Sequence, residues 1–558
     1  MYLLFTASAH PLLGLWPLGE RWACGFGGRG AWSRATEGKG KRLAPTSFAD
    51  NPSPDSRAEG ATLLFFTMDT SRISVPAILK VTLLLSFMAL TGTLAFFHEP
   101  WRDEADTWLM VRDASLLTIA KIVPDMGTPI GWYLILKPFA ALGLPFGTQQ
   151  VLALCLVWGA AAIIIFQGPF SILVSACLCL SWFLSFEYSV IARNYALGVF
   201  GLFALLGSWS GRGPARLRSL EWWLAWPLII FSSVHFLALA PGLILLSVLG
   251  KQQPDGDEAP PLVAHLWPLL LLAVAVMSLW PTGHGQLSPE FFSFFKPLNL
   301  VQATSLSIFP HSGVAGASAY LGTVVFISFL LVFRLRLIEA LAFALMIAGV
   351  NSLFVFKYFF PVSRYAGLNW LILVVASWVS LLGAQRNGAA TGIRGRIKLF
   401  SGLLLLVTLL NLPESVARWR REVALPYTDA RNAAQYLINM NLLGQPIACS
   451  RPPQCSAILG YLPGRTNFWY PGIDQWGTHM LWDHAYVNSL KLAPEEALLR
   501  AKKFLHDSEG HKEFLFISNR TISEPQSLGL TRLWETPRSA WFVKDESFTA
   551  YRWQEAAE

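Results

Sequence analysis

Apolar runs about as long as a bilayer is thick recur along this chain and constrain its fold more than any other feature. The first run covers residues 75–97 and holds one charged side chain, Lys80. A helix needs roughly 20 apolar residues to cross the hydrocarbon core. Hydrophobic residues make up 53% of the 558 positions and charged residues only 14%, which excludes an ordinary soluble domain. The sequence therefore predicts an α-helical polytopic membrane protein.

Basic clusters between the apolar runs set the predicted orientation. Lys and Arg collect on the cytoplasmic side of membrane proteins, so the clusters around 212–218, 334–336 and 386–398 are placed inside. The net charge of +8 is spread over these short clusters, which does not indicate a nucleic-acid partner. About eleven crossings follow, and everything after residue 412 then lies outside. The predicted spans are 75–97, 149–167, 170–187, 194–210, a hairpin over 222–249 that breaks near Ser232, 262–281, 317–333, 338–356, 366–384 and 399–412.

Two shorter stretches after the first span are predicted to lie in the interface. Residues 105–122 show apolar positions on one side at helical spacing, as in one flat amphipathic helix. Residues 130–146 are apolar but short and contain Lys137 and Pro138, so they are not expected to cross.

The two ends of the chain differ from the middle. The composition shifts abruptly at Met68, so residues 1–67 are predicted to be a disordered or mis-called extension that the protein does not need. Residues 413–558 have dispersed charge, a helix-like run at 428–441 and strand-like runs at 446–449 and 513–517, which predicts a small α/β domain. Cys449 and Cys455 can pair if this domain is exported, and both states stay open.

The segment directly after the first span, His98-Glu-Pro-Trp-Arg-Asp-Glu-Ala-Asp-Thr-Trp108, concentrates charge at the membrane edge. Ionisable groups at that depth are costly, so they are interpreted as functional. Other charged residues fall on the same predicted side. Carboxylates there can deprotonate a hydroxyl or hold a metal, and cations can bind a phosphate. The candidate catalytic residues are Asp103, Glu104 and Glu187, and the candidate phosphate-binding residues are Arg102, Arg193, His235, Lys357 and Arg364.

Each of these residues also has a purely structural interpretation. Asp103 can cap the helix that follows it. Glu187 and Arg193 can form an ion pair that holds two helices together, and Lys357 can extend its amine to the interface. A single histidine at a helix break, as at His235, is more often structural than catalytic. The functional hypothesis rests on several independent charged positions falling on one side.

Three short motifs resemble a bacterial branch of the GT-C glycosyltransferases, similar to the protein O-mannosyltransferases and the lipid A aminoarabinose transferases. The resemblance covers about 75–420. The motifs are His98-Glu-Pro-Trp-Arg-Asp-Glu-Ala105, then Gly127-Thr-Pro129 with Gly131-Trp-Tyr-Leu134, then Ala192-Arg-Asn-Tyr-Ala-Leu197.

The resemblance implies a polyprenyl-phosphate-linked sugar as donor, a cavity that opens outward, and inversion at the sugar carbon. It implies a glycan, lipid or protein as acceptor and membrane lipids as surroundings, in the bacterial inner membrane with a periplasmic tail. On this basis Asp103 matches the catalytic base and Glu187 the acid of the second outer loop. His235 and Arg364 fall where relatives contact the lipid phosphate. Relatives carry Glu-Gly-His-Pro where this chain has Met126-Gly-Thr-Pro129, which leaves a divalent metal open.

Two other functions fit a chain with many spans. A transporter or flippase would show paired half-repeats with helices broken at matching positions, and only one broken segment is found. A non-catalytic envelope assembly protein would use the exported tail for binding. Convergence of Asp103, Glu187 and Arg364 in one place would favour the enzyme.

Overall fold

The computed structural model describes residues 75–555 apart from 212–214, 250–261, 281–294, 311–315, 333–336, 358–361, 387–390 and 465. The predicted extension 1–67 and the predicted start at Met68 lie outside the described residues. The chain is mostly helical and ends in a small sheet, which confirms the predicted combination of a helical membrane part and an α/β tail.

The membrane part is a bundle of helices of unequal length. The helices are α1 (Val75–Phe97), α2 (Arg102–Asp113), α3 (Leu116–Met126), α4 (Gly131–Ala141), α5 (Thr148–Phe166), α6 (Ile172–Leu180), α7 (Tyr195–Trp209), α8 (Ala215–Ile230), α9 (Val234–Leu249), α10 (Leu266–Ser278), α11 (Leu298–Leu306), α12 (Gly316–Val332), α13 (Leu337–Phe356), α14 (Ser363–Arg386) and α15 (Thr391–Ala424).

Among the described residues, four helices are long and apolar enough to cross a membrane: α1, α5, α13 and most of α14. Most of α14 is buried inside the bundle, whereas most of α1 is exposed. Exposed leucines such as Leu79 and Leu85 on α1 give the bundle an apolar outer surface, as a lipid-facing helix requires. The helices α7, α9 and α10 are equally apolar but shorter.

The segment after α1 folds as two helices, not one. The prediction of a single helix over residues 105–122 is wrong, because α2 ends at Asp113 and α3 begins at Leu116. The Ser115 hydroxyl accepts a hydrogen bond from the Thr118 amide at 3.1 Å and so caps α3. Helix α4, at 11 residues, is too short to cross a bilayer, which agrees with its predicted interfacial position. The predicted break near Ser232 is present between α8 and α9.

The tail is a layered α/β domain. Its strands form one sheet in the order β3-β2-β1-β4-β6-β5, in which β1 pairs in parallel with β2 and β4. The predicted helix at 428–441 and the predicted strands at 446–449 and 513–517 are confirmed as α16, β1 and β4. The elements are α16 (Ala430–Asn439), β1 (Ile447–Cys449), α17 (Pro452–Tyr461), β2 (Phe468–Tyr470), β3 (Gln475–Gly477), α18 (His484–Ser489), α19 (Pro494–Lys502), β4 (Glu513–Ser518), β5 (Leu530–Glu535) and β6 (Thr549–Gln554).

The tail domain takes α2 into its own hydrophobic core. One face of the sheet packs on α16 and α17, and this core includes Ala105 and Leu109 of α2, both fully buried. The other face packs on α19 through residues such as Trp469 and Leu498. Residue 412, where the last predicted span ends, lies inside the 34-residue helix α15, which continues to Ala424. The first loop and the tail therefore lie on the same side of the bundle, as predicted.

Candidate active site

Four charged side chains from four segments meet at the start of α2. Asp103 Oδ2 lies 2.5 Å from Arg193 Nη1 and 3.5 Å from Arg364 Nη1. Arg364 Nε donates to Glu187 Oε1 at 2.9 Å. The structure thus brings together Asp103, Glu187, Arg193 and Arg364, all of which the sequence predicted as site residues.

Local structure explains how these side chains meet. Asp103 lies in the first turn of α2, where negative charge is favourable. A π-helical turn, Phe183–Glu187, follows α6 and carries Glu187 at its end. Arg364 is the second residue of α14, and its carbonyl accepts a hydrogen bond from the Tyr188 hydroxyl at 3.0 Å. The alternative interpretation, an ion pair between Glu187 and Arg193, does not hold, because each of the two pairs with a different partner.

One carboxylate oxygen of Asp103 is available to accept a proton. Its Oδ1 atom is buried and makes no hydrogen bond to the described residues. The Asp103 carboxylate accepts no backbone N–H either, so it does not cap α2. Glu104 does reach back, with Oε2 accepting from the Trp101 amide at 3.3 Å. An ionised carboxylate with one oxygen held by arginine and one unpaired can accept a proton from a bound hydroxyl.

Both carboxylate oxygens of Glu104 have buried partners. Its Oε1 accepts the Ala192 amide at 2.7 Å, and its Oε2 lies 3.0 Å from His98 Nε2. On the other side, His98 Nδ1 lies 2.7 Å from Glu422 Oε1 of α15. Burial by itself would lower the pKa of His98, but Glu104 and Glu422 together raise it to about 10. Glu104 therefore ties α2 to α15 and to the loop before α7.

Asp106 lies one turn beyond Asp103 and was not predicted as a site residue. Its Oδ1 accepts the Met480 amide at 2.7 Å, and burial raises its pKa to about 7. Asp103 and Arg193 are both within electrostatic range of it. The spacing of three residues in a helical segment places Asp103 and Asp106 on one face, and this spacing is the signal that could have found Asp106 in the sequence.

Arg102 points to the tail domain and not to the cluster at Asp103. Its Nη1 lies 2.6 Å from Asp545 Oδ2 and 3.6 Å from Glu546 Oε1. Its amide also donates to Glu546 at 3.2 Å. The predicted phosphate ligand Arg102 therefore anchors α2 to the tail.

His235 and Lys357 form the far edge of the site. The His235 ring stacks on Tyr365 with centroids 4.3 Å apart, and its Nδ1 lies 3.3 Å from the Tyr195 hydroxyl. Tyr365 directly follows Arg364, so His235 adjoins the charged cluster through this ring. Lys357 stands just after α13, and both Lys357 and Arg364 lie within electrostatic range of His235.

A divalent metal would need a group of side chains able to ligate it. No group of three or more His, Cys, Asp or Glu side chains able to hold a metal ion occurs within them. The segment 126–129, in which this chain differs from the relatives, begins at the last residue of α3. Gly127 adopts φ 64°, and the Met126 sulfur accepts a hydrogen bond from the Tyr133 hydroxyl.

Comparison with known proteins found no matching family model, no matching curated protein and no matching solved structure.

Proposed function

We propose that this protein is an integral membrane glycosyltransferase of the GT-C type, which moves a sugar from a polyprenyl-phosphate donor to an acceptor hydroxyl. The observation that carries the proposal is the convergence of Asp103, Glu187 and Arg364 at one point. Asp103 there keeps one buried oxygen free beside two arginines. Helices α2 and α14 and the loop before α7 supply these groups, so the site forms only in the folded bundle.

The proposed reaction is a single inverting displacement. Asp103 takes the proton from the acceptor hydroxyl, and the acceptor oxygen forms a bond to the anomeric carbon. The bond from that carbon to the phosphate oxygen breaks, and its electron pair leaves with the polyprenyl phosphate. Arginine and lysine side chains stabilise the negative charge that develops on the leaving group, which is worth most where water is excluded.

The distribution of charge favours a leaving phosphate near Lys357. The charges of Arg193 and Arg364 are already matched by Asp103 and Glu187. Lys357 has no carboxylate partner within the described part of the chain, and it lies close to the ring pair of His235 and Tyr365. A phosphate that bridges Lys357 and Arg364 would leave the Asp103 oxygen facing the acceptor.

We also propose a membrane topology for this protein. About eleven crossings require the shorter apolar helices to span as well as the four long ones. The basic clusters then face the cytoplasm, and the first loop and the tail face the periplasm of a bacterial inner membrane. The Cys449–Cys455 disulfide in the tail supports an oxidising compartment.

The test is turnover by the purified protein with a panel of polyprenyl-phosphate sugars. Asp103→Asn keeps the shape of the side chain but removes the proton acceptor, so turnover should fall by about 10²–10⁴-fold. Arg364→Ala should weaken both donor binding and rate. The matched control is Asp113→Asn at the other end of α2, where the carboxylate pairs with its neighbour Arg112 at 2.8 Å.

Two results separate the alternatives. If Asp103→Asn keeps near-normal turnover while Asp106→Asn loses it, the base is Asp106, whose raised pKa suits proton transfer near neutral pH. If no donor in the panel is consumed by a folded wild-type protein, the proposed transfer reaction is wrong.

A further inference from the structure

A second polar centre lies where Arg102 of α2 meets the tail domain. The parallel strands run in the order β2-β1-β4. The chain leaves β1 toward β2 on one side, and β4 lies on the other side. The strand order therefore reverses between β1 and β4. Ligands of open α/β sheets bind outside the carboxyl ends of the strands at such a reversal.

The residue at this position in the loop after β1 is Arg451. Its side chain is buried, with 2% exposure, and neither Nε nor Nη2 has a hydrogen-bond partner. A buried guanidinium with two unsatisfied nitrogen atoms is costly, and native structures rarely leave such donors unpaired. Arg451 precedes Pro452 and Pro453, which begin α17 and have no N–H groups to offer. The first two positions of α17 therefore offer no backbone donors to this edge.

Two more arginines accompany Arg451. Arg520 follows β4 at the same edge of the sheet, and Arg102 enters from α2; both lie within electrostatic range of Arg451. The facing acids are Asp545, which binds Arg102 and Gln454, and Glu546.

The net charge of this centre is positive. Both oxygens of Glu546 accept hydrogen bonds, one from the Arg102 amide and one from the Thr428 hydroxyl, as a carboxylate does. Three guanidinium groups face the two carboxylates Asp545 and Glu546, which leaves one positive charge without a matching carboxylate. A site of this kind attracts an anion.

We propose that Arg451, Arg520 and Arg102 form a binding site for a phosphomonoester group at the carboxyl edge of β1 and β4. A phosphomonoester carries about two negative charges near neutral pH and three acceptor oxygens. Arginine forks bind such oxygens in pairs. A single carboxylate has only two acceptor oxygens, whereas Arg451 alone presents two nitrogen atoms without hydrogen-bond partners and Arg520 adds further donors. The site does not depend on the proposed glycosyl transfer.

The phosphate can belong to a soluble phosphate compound or to a lipid headgroup. Inorganic phosphate is the probe for the first source, and nanodiscs that contain phosphatidic acid are the probe for the second. The readout is the thermal unfolding of the purified full chain, with sodium chloride at equal ionic strength as the reference. Stabilisation by either probe supports the site. If only phosphate stabilises, the source is soluble; if the lipid also stabilises, the site is open to headgroups.

Arg451→Met is the decisive variant. It should lose at least about tenfold in phosphate affinity, because charge-assisted hydrogen bonds disappear. Without phosphate its unfolding temperature should stay equal to that of the wild type or rise, because a buried guanidinium with two unsatisfied nitrogen atoms has been removed. A purely structural arginine would instead leave the phosphate-free variant less stable. The matched control is Arg500→Met, an exposed arginine on α19 of the same domain that pairs with Glu496.

Three results would overturn the proposal. One is a wild-type protein that responds to neither probe. Another is an Arg451→Met variant that responds like the wild type, and the third is a phosphate-free Arg451→Met variant that is clearly less stable. If Arg451→Met does not accumulate, Arg520→Gln serves instead, since this half-buried side chain has fewer packing contacts to lose; its unchanged phosphate affinity would count against the site.

Discussion

The buried His98 side chain lies between the carboxylates of Glu104 and Glu422, and this arrangement should make the stability of the protein depend on pH. The perturbation is His98→Gln, which keeps a polar side chain but removes the positive charge. His98 directly follows α1, Glu104 lies on α2 and Glu422 on α15, and all three side chains are completely buried. Removal of the cation leaves two carboxylates facing each other without a partner.

The magnitude follows from the geometry and from the pKa. Loss of one partner from a buried ion pair costs about 3–5 kcal/mol. Independently, the two carboxylates raise the pKa of His98 from the ordinary 6.5 to about 10. Each pH unit between these values is worth about 1.4 kcal/mol, so the full difference is on the order of 5 kcal/mol. The two routes agree in size.

The sign of the pH dependence is fixed by the direction of the pKa change. Because the pKa is raised in the folded state, the stabilisation is complete below pH 6.5 and is lost as the pH rises toward 10. The unfolding temperatures of the wild type and His98→Gln should therefore differ most near pH 6.5 and converge at about pH 10. Glu422→Gln combined with His98→Gln should recover part of the loss.

Tryptophan fluorescence of the detergent-solubilised protein during heating measures these temperatures. The control is His506→Gln in the tail, where the imidazole is partly exposed and lies 3.7 Å from Glu555. The reasoning is refuted if the unfolding temperatures of wild type and His98→Gln differ equally at pH 6.5 and pH 9.5. Folding would then not raise the pKa of His98.

Three further predictions concern the loop and the tail. Burial raises the pKa of Asp106 to about 7, so its ionisation opposes folding as the pH rises from 4 to 7. The unfolding temperature of Asp106→Asn relative to wild type should therefore increase between pH 5 and pH 8. A decrease over this range would contradict the prediction. Cys449→Ser should cost about 2 kcal/mol, as expected for a loop this short, and mass spectrometry without reductant should find the Cys449–Cys455 peptide pair in the wild type; two free thiols there would refute it. A reporter fused after residue 555 should be active only outside the cytoplasm, and activity inside would reverse the proposed orientation.

Local sequence patterns determined the elements of this protein. Apolar runs predicted helices at α1, α5, α13 and α14, because a helix that crosses a bilayer needs roughly 20 apolar residues in one stretch of chain. The helix and strands of the tail followed from the same short-range periodicity. The charged segment at 98–108 also identified Asp103 correctly as a residue of the central cluster, since charge at a membrane edge stands out against an apolar background.

The partners of the buried charges were decided only by the tertiary structure. His98 meets Glu422 across 324 positions of chain, and Arg364 meets Glu187 across 177, with no signal in either neighbourhood to indicate the match. The alternative interpretation that paired Glu187 with Arg193 fails for this reason. A buried ion pair is stable only when both charges are desolvated together at short distance, and that distance depends on how α2, α14 and α15 pack. The capture of α2 by the core of the tail is likewise a property of the assembled fold, because Ala105 and Leu109 are apolar enough for either membrane or protein.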